Sequence, residues 1–426
     1  VTVGTGGAAG LPVTGGGAAP IGGAPSDLPA EEPVVVHDSN ALPSDVPAVN
    51  IEISEEARAS LEANPWSAED VIGTFVDGNG TRYEGIELNY RGAYQLITLI
   101  EEGSRRNWKV KVTDDLKYLG HREWNFNSEY HLRHKLALDL LAFAGVPAPS
   151  AQHVRLSVNG EDHGLYLQYS DPDNKSWLKD YFGSAAGDLF KAAHDLPNEE
   201  AYFAPLTYLG EVHEDYFLHY NKKLNNNGDA LFDFTSLITF IRGLNETPDA
   251  DLPVWFAQNF DTERFINYLV VANFSSHWDS YPYRPKNYWL YQSPVTTRWN
   301  YLPWDVDHTF EQRQFDLMPM GAYVGIFYDF DYHEGPENPG EGTERPLVRR
   351  LMAIPELRQR YIDRYKELMG TILSVDYLHN RIHALDGQIR QYASGGDAEL
   401  LSENTQDMLD FVSIKHEHVR AELDTL

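Results

Sequence analysis

The apolar residues of this chain shift from mainly alternating to mainly helical spacing along its length, and that shift limits the fold to a mixed architecture. Up to about residue 170 they alternate in short runs, and from Asp173 onward they recur at helical intervals. Val71–Val76, the turn Asp77-Gly-Asn-Gly80 and Thr81–Tyr90 predict one hairpin. Val154–Val158, Asn159-Gly160 and Gly164–Tyr169 predict a second, because Asn-Gly suits the tight turn between twisted strands. Trp108-Lys-Val-Lys-Val112 alternates strictly, with Trp108, Val110 and Val112 on one face and Lys109 and Lys111 on the other. Ser54 caps a short helix that Asn64-Pro65 ends. Leu132, Leu136, Leu140 and Phe143 mark the buried face of another, stopped by Gly145 and Pro147. Further helices are expected over Asn174–Tyr181, Phe234–Leu244, Thr262–Ser275, Pro346–Met352, Pro355–Leu373, Val375–Gln391 and Glu403–Leu426. The class is therefore α+β, with a strand-rich N-lobe over 48–172 and a mainly helical C-lobe over 173–426.

One strand pair interrupts the helical part and carries the chemistry. Asn287–Gln292 and Arg298–Leu302 are aromatic and extended, joined by the polar turn Ser293-Pro-Val-Thr-Thr297. Pro303 ends the second strand, since it has no N–H for a ladder bond. Asp279 and Asn287 precede the first strand, and Asp305 and Asp307 follow the second. A hairpin brings all four to one end of a sheet, and the two-residue spacing of Asp305 and Asp307 points both to one face of an extended backbone. Three carboxylates and one amide, with no soft ligand, suit a hard divalent cation. Protein kinases use the same order of parts: a base, a metal-binding Asn, a hairpin and a metal-binding Asp. Trp289, Trp299 and Tyr301 read as packing residues.

Composition narrows the partners. The chain has no cysteine, which excludes thiolate chemistry, thiolate zinc sites and disulfides. Its 64 acidic against 34 basic side chains, a formal charge of -30, argue against nucleic acid as a partner. No run approaches the roughly 20 apolar residues of a membrane span. Residues 1–47 are rich in Gly, Ala and Pro and read as a flexible linker, expected to follow a removed signal or anchor segment. That places the folded part outside the cytoplasm or at a cell surface, in a bacterial-type setting. Leu11-Pro-Val-Thr-Gly15 is like a sortase signal, but no apolar tail and basic end follow it. Asp171-Pro-Asp-Asn-Lys-Ser176 begins like a calcium loop, yet lacks Gly at its sixth and Glu at its twelfth position. Phe327–Glu334 reads as a mobile acidic flap in a Gly/Pro-rich loop.

The order of several segments resembles the CotH kinase family of spore-coat and secreted atypical kinases. They are Asn89-Tyr-Arg-Gly92, Trp108-Lys-Val-Lys111, Leu132-Arg-His-Lys-Leu-Ala137 with Gly145-Val-Pro-Ala-Pro149, and Val158-Asn-Gly160 with Gly164-Leu-Tyr-Leu167. Gly187-Asp-Leu-Phe-Lys191, Asp279 with Asn287–Tyr291, and Leu302-Pro-Trp-Asp-Val-Asp307 complete the set. The resemblance implies a diverged bilobal protein-kinase-like fold that takes ATP with Mg²⁺, Mn²⁺ or Ca²⁺ and phosphorylates Ser or Thr of a surface or coat protein. It implies Asp279 as the catalytic aspartate, and Asn287 and Asp305 as metal ligands with Asp307 beside them. Arg91 and Gly92 would begin the loop over the phosphates, and Lys109 or Lys111 would contact them. Three positions depart from the family pattern: Ala93-Tyr94-Gln95 replaces a small-residue turn, Gln168 stands where a Glu is usual, and Glu311 where a Gly is common. Two other readings stand beside the kinase: a non-catalytic structural or binding module, and a carbohydrate-active protein.

Overall fold

The computed structural model describes residues 38, 41–43, 45–66, 69–92, 105–113, 116–129, 131–192, 203–224, 232–312, 321–328, 330, 344–393 and 396–426. The strand-rich part consists of β1 (Ala48–Glu52), β2 (Val71–Val76), β3 (Arg82–Arg91), β4 (Asn107–Lys111), β5 (Glu123–Asn127), β6 (Ala151–Val158) and β7 (Glu161–Ser170). These strands, expected only as a strand-rich N-lobe, close into a barrel in the order β1-β2-β3-β4-β5-β7-β6. The closing strand is β1, antiparallel to β2 through Asn50↔Val76 and parallel to β6 through Asn50↔Ser157. Closure satisfies both edges of the sheet and leaves no open ladder. Five residues between Pro47 and Ile53 carry too little alternation to announce such a strand. Asn159 (φ 52°) and Gly160 (φ 80°) make the tight turn between β6 and β7. The Asn159 side chain also holds β1, accepting from Ile53 N and donating to Ile53 O, each at 2.9 Å.

Alternation decides what fills the barrel. Trp108 and Val110 join Ile51, Phe75, Leu88 and Phe126 in its interior, which places Lys109 and Lys111 on the outer wall. Gln168 lies opposite Phe126 in the register, so it too points inward, where it meets the Tyr118 hydroxyl at 3.4 Å. It is therefore on the other face of the wall from Lys109.

A second, four-stranded sheet has the order β11-β10-β8-β9, with β8 at Leu189–Ala192, β9 at Tyr220–Leu224, β10 at Tyr288–Gln292 and β11 at Trp299–Pro303. The helices are α1 (Glu55–Ala63), α2 (His131–Phe143), α3 (Lys175–Phe182), α4 (Thr235–Glu246), α5 (Leu252–Asn259), α6 (Thr262–Phe274), α7 (Pro346–Met352), α8 (Pro355–Met369), α9 (Val375–Ile389) and α10 (Gly396–Leu423). Helix α5 was not expected, and its proline sits in the first turn, where a missing N–H costs no helical bond. Although α2 lies among the strands in sequence, Leu136 and Leu140 pack in the same core as Leu167, Tyr268 and Leu378. The barrel wall and the helices thus share one apolar layer.

Part of the chain assigned to the linker is held on α9: Arg381 donates to Ala41 O at 2.8 Å and Gln388 to Pro43 O at 2.7 Å. The expected tether over residues 1–37 lies outside the described residues. So do 331–334 of the expected acidic flap, whereas Phe327 and Phe330 each lie 5.6 Å from the Tyr361 ring.

Helix α10 carries a buried lysine. Lys415 donates to Val324 O at 2.8 Å, and burial pushes its ammonium down to about 7 against the opposing pull of Glu422. A lysine lowered from 10.5 to about 7 contributes stability that is complete above the unfolded value and is lost as pH falls through 7. Wild-type melting temperature is expected to drop between pH 9 and pH 6 by more than that of Lys415→Met, read by differential scanning calorimetry.

Candidate active site

The β10–β11 ladder runs from Gln292↔Trp299 to Tyr288↔Pro303, and Trp304 N extends it by donating to Asn287 O at 3.0 Å. Asn287 and Asp305 therefore leave the same end of the hairpin. Both turn through the left-handed region, with φ 56° and 54°. Asn and Asp are the non-glycine residues that tolerate it best, and such conformations concentrate at functional sites.

Asp279 meets them there. Asn287 Nδ2 donates to Asp279 O at 2.8 Å and to Oδ2 at 2.9 Å, and Lys286 Nζ lies 2.8 Å from Oδ2. The Arg284 guanidinium stands 3.6 Å from Oδ1, outside hydrogen-bond range. Oδ1 is shielded from solvent and has no hydrogen-bond partner among the described residues. Burial alone would raise this carboxyl, but Lys286 and then Arg284 hold it below its ordinary range. Asp279 is thus ionised, with one oxygen fully engaged and the other free to accept.

Asp307 is the opposite case. Burial first, and the Asp305 carboxylate second, push it up to about 7, while its Oδ1 accepts from His308 N at 2.9 Å. His308 rises to about 9: burial opposes this, but Glu311, 3.6 Å away, and Asp307 favour the imidazolium. Glu311 therefore has a defined local partner. His277 is pushed down to about 4 by burial, and its Nε2 lies 3.2 Å from Asp305 O. A carbonyl only accepts, so the neutral ring carries its proton on Nε2 and steadies the Asp305 backbone.

The barrel presents a polar wall built from register: Arg91↔Asn107 in one row, Asn89↔Lys109↔Asn125↔Tyr169 in the next, and Glu87↔Lys111↔Glu123 beyond. Arg91 donates to Asn127 Oδ1 and to the Tyr169 hydroxyl, and its guanidinium lies 6.0 Å from the Trp304 ring. Although burial works against its charge, Tyr169, Asp305 and Asp171 favour it. Arg91 thus links the wall to the hairpin, and Gly92 follows it with φ 91°. The turn 93–95 lies outside the described residues. Lys109 pairs instead with Glu123 at 2.8 Å and Asp171 at 3.5 Å. Lys111 pairs with Glu87 and stands 4.0 Å from Asp70. The structure brings Asp279, Asn287, Asp305, Asp307 and Arg91 together, and ties the two lysines to carboxylates of the barrel.

Sequence reasoning passed over Lys286, Arg284 and His308. Lys286 directly precedes Asn287 and could have been singled out on that ground. His308 follows Asp307 directly, but only the fold shows that Glu311 keeps it charged.

The family described as CotH kinase protein matches residues 88–401. The chain belongs to the CotH kinase protein family. The CotH match takes in Arg91, Lys109, Lys111, Asp279, Asn287, Asp305 and Asp307, whereas β1, α1 and β2 precede it. The chain is 23% identical to the inner spore coat protein H of Bacillus subtilis (strain 168) over 354 residues, 82% of this chain and 88% of that protein. Invasin CotH2 of Rhizopus delemar is 27% identical over 48% of this chain and 34% of its own length. Invasin CotH3 of the same fungus is 26% identical over 66% and 45%. The chain therefore spans most of the bacterial relative and less than half of either invasin. Among solved structures, a chain from the Shewanella oneidensis MR-1 toxin–antitoxin complex of HipA, HipB and operator DNA aligns over 88% of this chain and 82% of its own, at 12% identity and a TM-score of 0.33. A score that low carries no argument. No helix among the described residues is long and apolar enough to cross a membrane.

Proposed function

We propose that this CotH protein is a divalent-cation-dependent phosphotransferase that moves the γ-phosphate of ATP to a Ser or Thr hydroxyl of a protein. The observation that carries this reading is the division of labour within Asp279. Its Oδ2 is fixed by Lys286 and Asn287, while Oδ1 is buried, ionised and without a hydrogen-bond partner among the described residues. Such an oxygen is suited to receive an acceptor hydroxyl, orient it, and take its proton as the new P–O bond forms and the bond to the β–γ bridging oxygen breaks.

The donor set fits a hard cation. Asn287 uses Nδ2 for both bonds to Asp279, which leaves its carbonyl oxygen as a ligand beside the Asp305 and Asp307 carboxylates. A bound cation would neutralise charge on the phosphate oxygens. Arg91, which the Asp305 charge already reaches, supplies further positive charge from the barrel side. Residues 1–47 serve in this reading as a linker, and 48–172 and 173–426 as the two lobes. The coat and invasin relatives support a place at a surface outside the cell, with a surface protein as acceptor.

One observation favours a second reading, a non-catalytic binding module: Lys109 and Lys111 are both committed to barrel carboxylates rather than to the hairpin site. Mass spectrometry of myelin basic protein after incubation with the chain, ATP and Mn²⁺ separates the two. Phosphoserine or phosphothreonine with matching ADP supports the transferase, and ATP binding without either product supports the module.

A further inference from the structure

We infer that Glu123, Asp171 and Asp173 form a second site for a hard divalent cation such as Ca²⁺, at the junction of the barrel and the helices and apart from the Asp279–Asp305 group. Asp171 and Asp173 lie where β7 ends and before α3 begins. Their Asp-Pro-Asp sequence starts like a calcium loop and then lacks the loop's later ligands. The fold replaces them with a carboxylate from the adjacent strand, Glu123 on β5. One oxygen of each residue lies within 4.8 Å of the other two.

The geometry alone describes an acidic cluster, and two orphaned atoms make it more. Asp171 Oδ1 and Asp173 Oδ1 are both shielded from solvent with no hydrogen-bond partner among the described residues. The Asp171 side chain is only 8% exposed, and its neighbours Asn125 Nδ2, at 3.4 Å, and Lys109 Nζ, at 3.5 Å, approach the other oxygen, Oδ2. Asn174 is committed elsewhere, its Oδ1 accepting from Ser176 N and Trp177 N at the start of α3. A buried carboxylate oxygen without a partner costs on the order of several kcal/mol when charged, and a proton, a counter-charge or a metal relieves it. Lys109 supplies one contacting ammonium against three carboxylates, and Lys223 acts only from farther off.

Oxygen-only donors that lie within 4.8 Å of one another suit a hard divalent cation, and Ca²⁺ accepts such carboxylates with flexible geometry. A cation in this position competes with Lys109 for Glu123 and Asp171. Under the phosphotransfer reading alone, the displaced ammonium becomes free to meet a phosphate; the site itself does not depend on that reading.

Calorimetric titration of the full chain with CaCl₂, without nucleotide, tests the site. Asp173→Asn and Glu123→Gln are each expected to lose one Ca²⁺-binding event or weaken it at least about tenfold, the scale of losing one ligand-shell group. Asp305→Asn is expected to retain it. Lys109→Met, which removes the competitor without touching a ligand, is expected to bind Ca²⁺ more tightly than wild type and reads out the site even if the carboxylate variants fail to fold. The inference is overturned if wild type binds no Ca²⁺ at millimolar concentration, if only Asp305→Asn loses binding, or if Lys109→Met leaves affinity unchanged. Because ATP is absent, these results stand apart from success or failure of phosphate transfer.

Discussion

Asp279→Asn is expected to cut phosphate transfer by about 10²–10⁴-fold, the range for removing a positioned acid–base group. The substitution keeps the shape of the side chain and removes its charge. Asn287 can still donate to the new amide oxygen, so the end of the hairpin stays in place. In the proposed reaction the lost function is proton acceptance at Oδ1, by the carboxylate that Lys286 and Arg284 hold ionised in the buried site. The effect belongs in kcat, with the KM for ATP nearly unchanged, because in the proposed reaction Asp279 faces the acceptor rather than the nucleotide. Steady-state kinetics with ATP varied at saturating Mn²⁺ separates these parameters. A variant that keeps more than half of wild-type kcat removes Asp279 from the chemistry.

Asp305→Asn is expected to be comparably severe for a different reason. It removes a proposed metal ligand and neutralises the carboxylate nearest in effect to Asp307. If the metal contributes several kcal/mol to the transition state, the loss is about 10²–10³-fold. Here the expected signature is a higher cation requirement. Asp307 sharpens this through pH. Its carboxyl is raised from 3.8 to about 7, so the stability it contributes is complete below the unfolded value and is lost as pH rises through 7. A cation must displace that proton. The gain in wild-type melting temperature on adding Mn²⁺ should therefore be small at pH 5.5 and grow through pH 7. In Asp305→Asn the repulsion that adds to burial in raising Asp307 is gone, and this growth should move to lower pH and shrink. A Mn²⁺ response independent of pH in both proteins counts against Asp307 as a ligand neighbour.

Local patterns made much of the fold legible. The 71–91 hairpin, the Asn159-Gly160 turn and the Ser54-capped helix each depend on neighbours in sequence, and each forms as expected. The hairpin over 288–303 was equally legible, because its strands are aromatic and its turn polar. Barrel closure was not, since it depends on β1 finding β6 a hundred residues away, a pairing that a five-residue strand does not encode locally. For the same reason the carboxylates around Lys109 were not legible. Its partners come from β5 and from the end of β7, and only the register aligns them. Gln168 shows the complement: one position along a strand decides between the outer wall and the barrel interior, so the missing carboxylate there deprives Lys109 of nothing.

The most direct measurement compares [γ-³²P]ATP and [α-³²P]ATP as label donors to a protein acceptor with Mg²⁺, Mn²⁺ or Ca²⁺, in wild type, Asp279→Asn and Asp305→Asn. Metal-dependent phosphate transfer at the Asp279–Asn287–Asp305 end of the hairpin predicts label from the γ position only, with at least one cation, and its near-disappearance in both variants. Label from the α position, equal labelling by all three proteins, or none with any cation contradicts it.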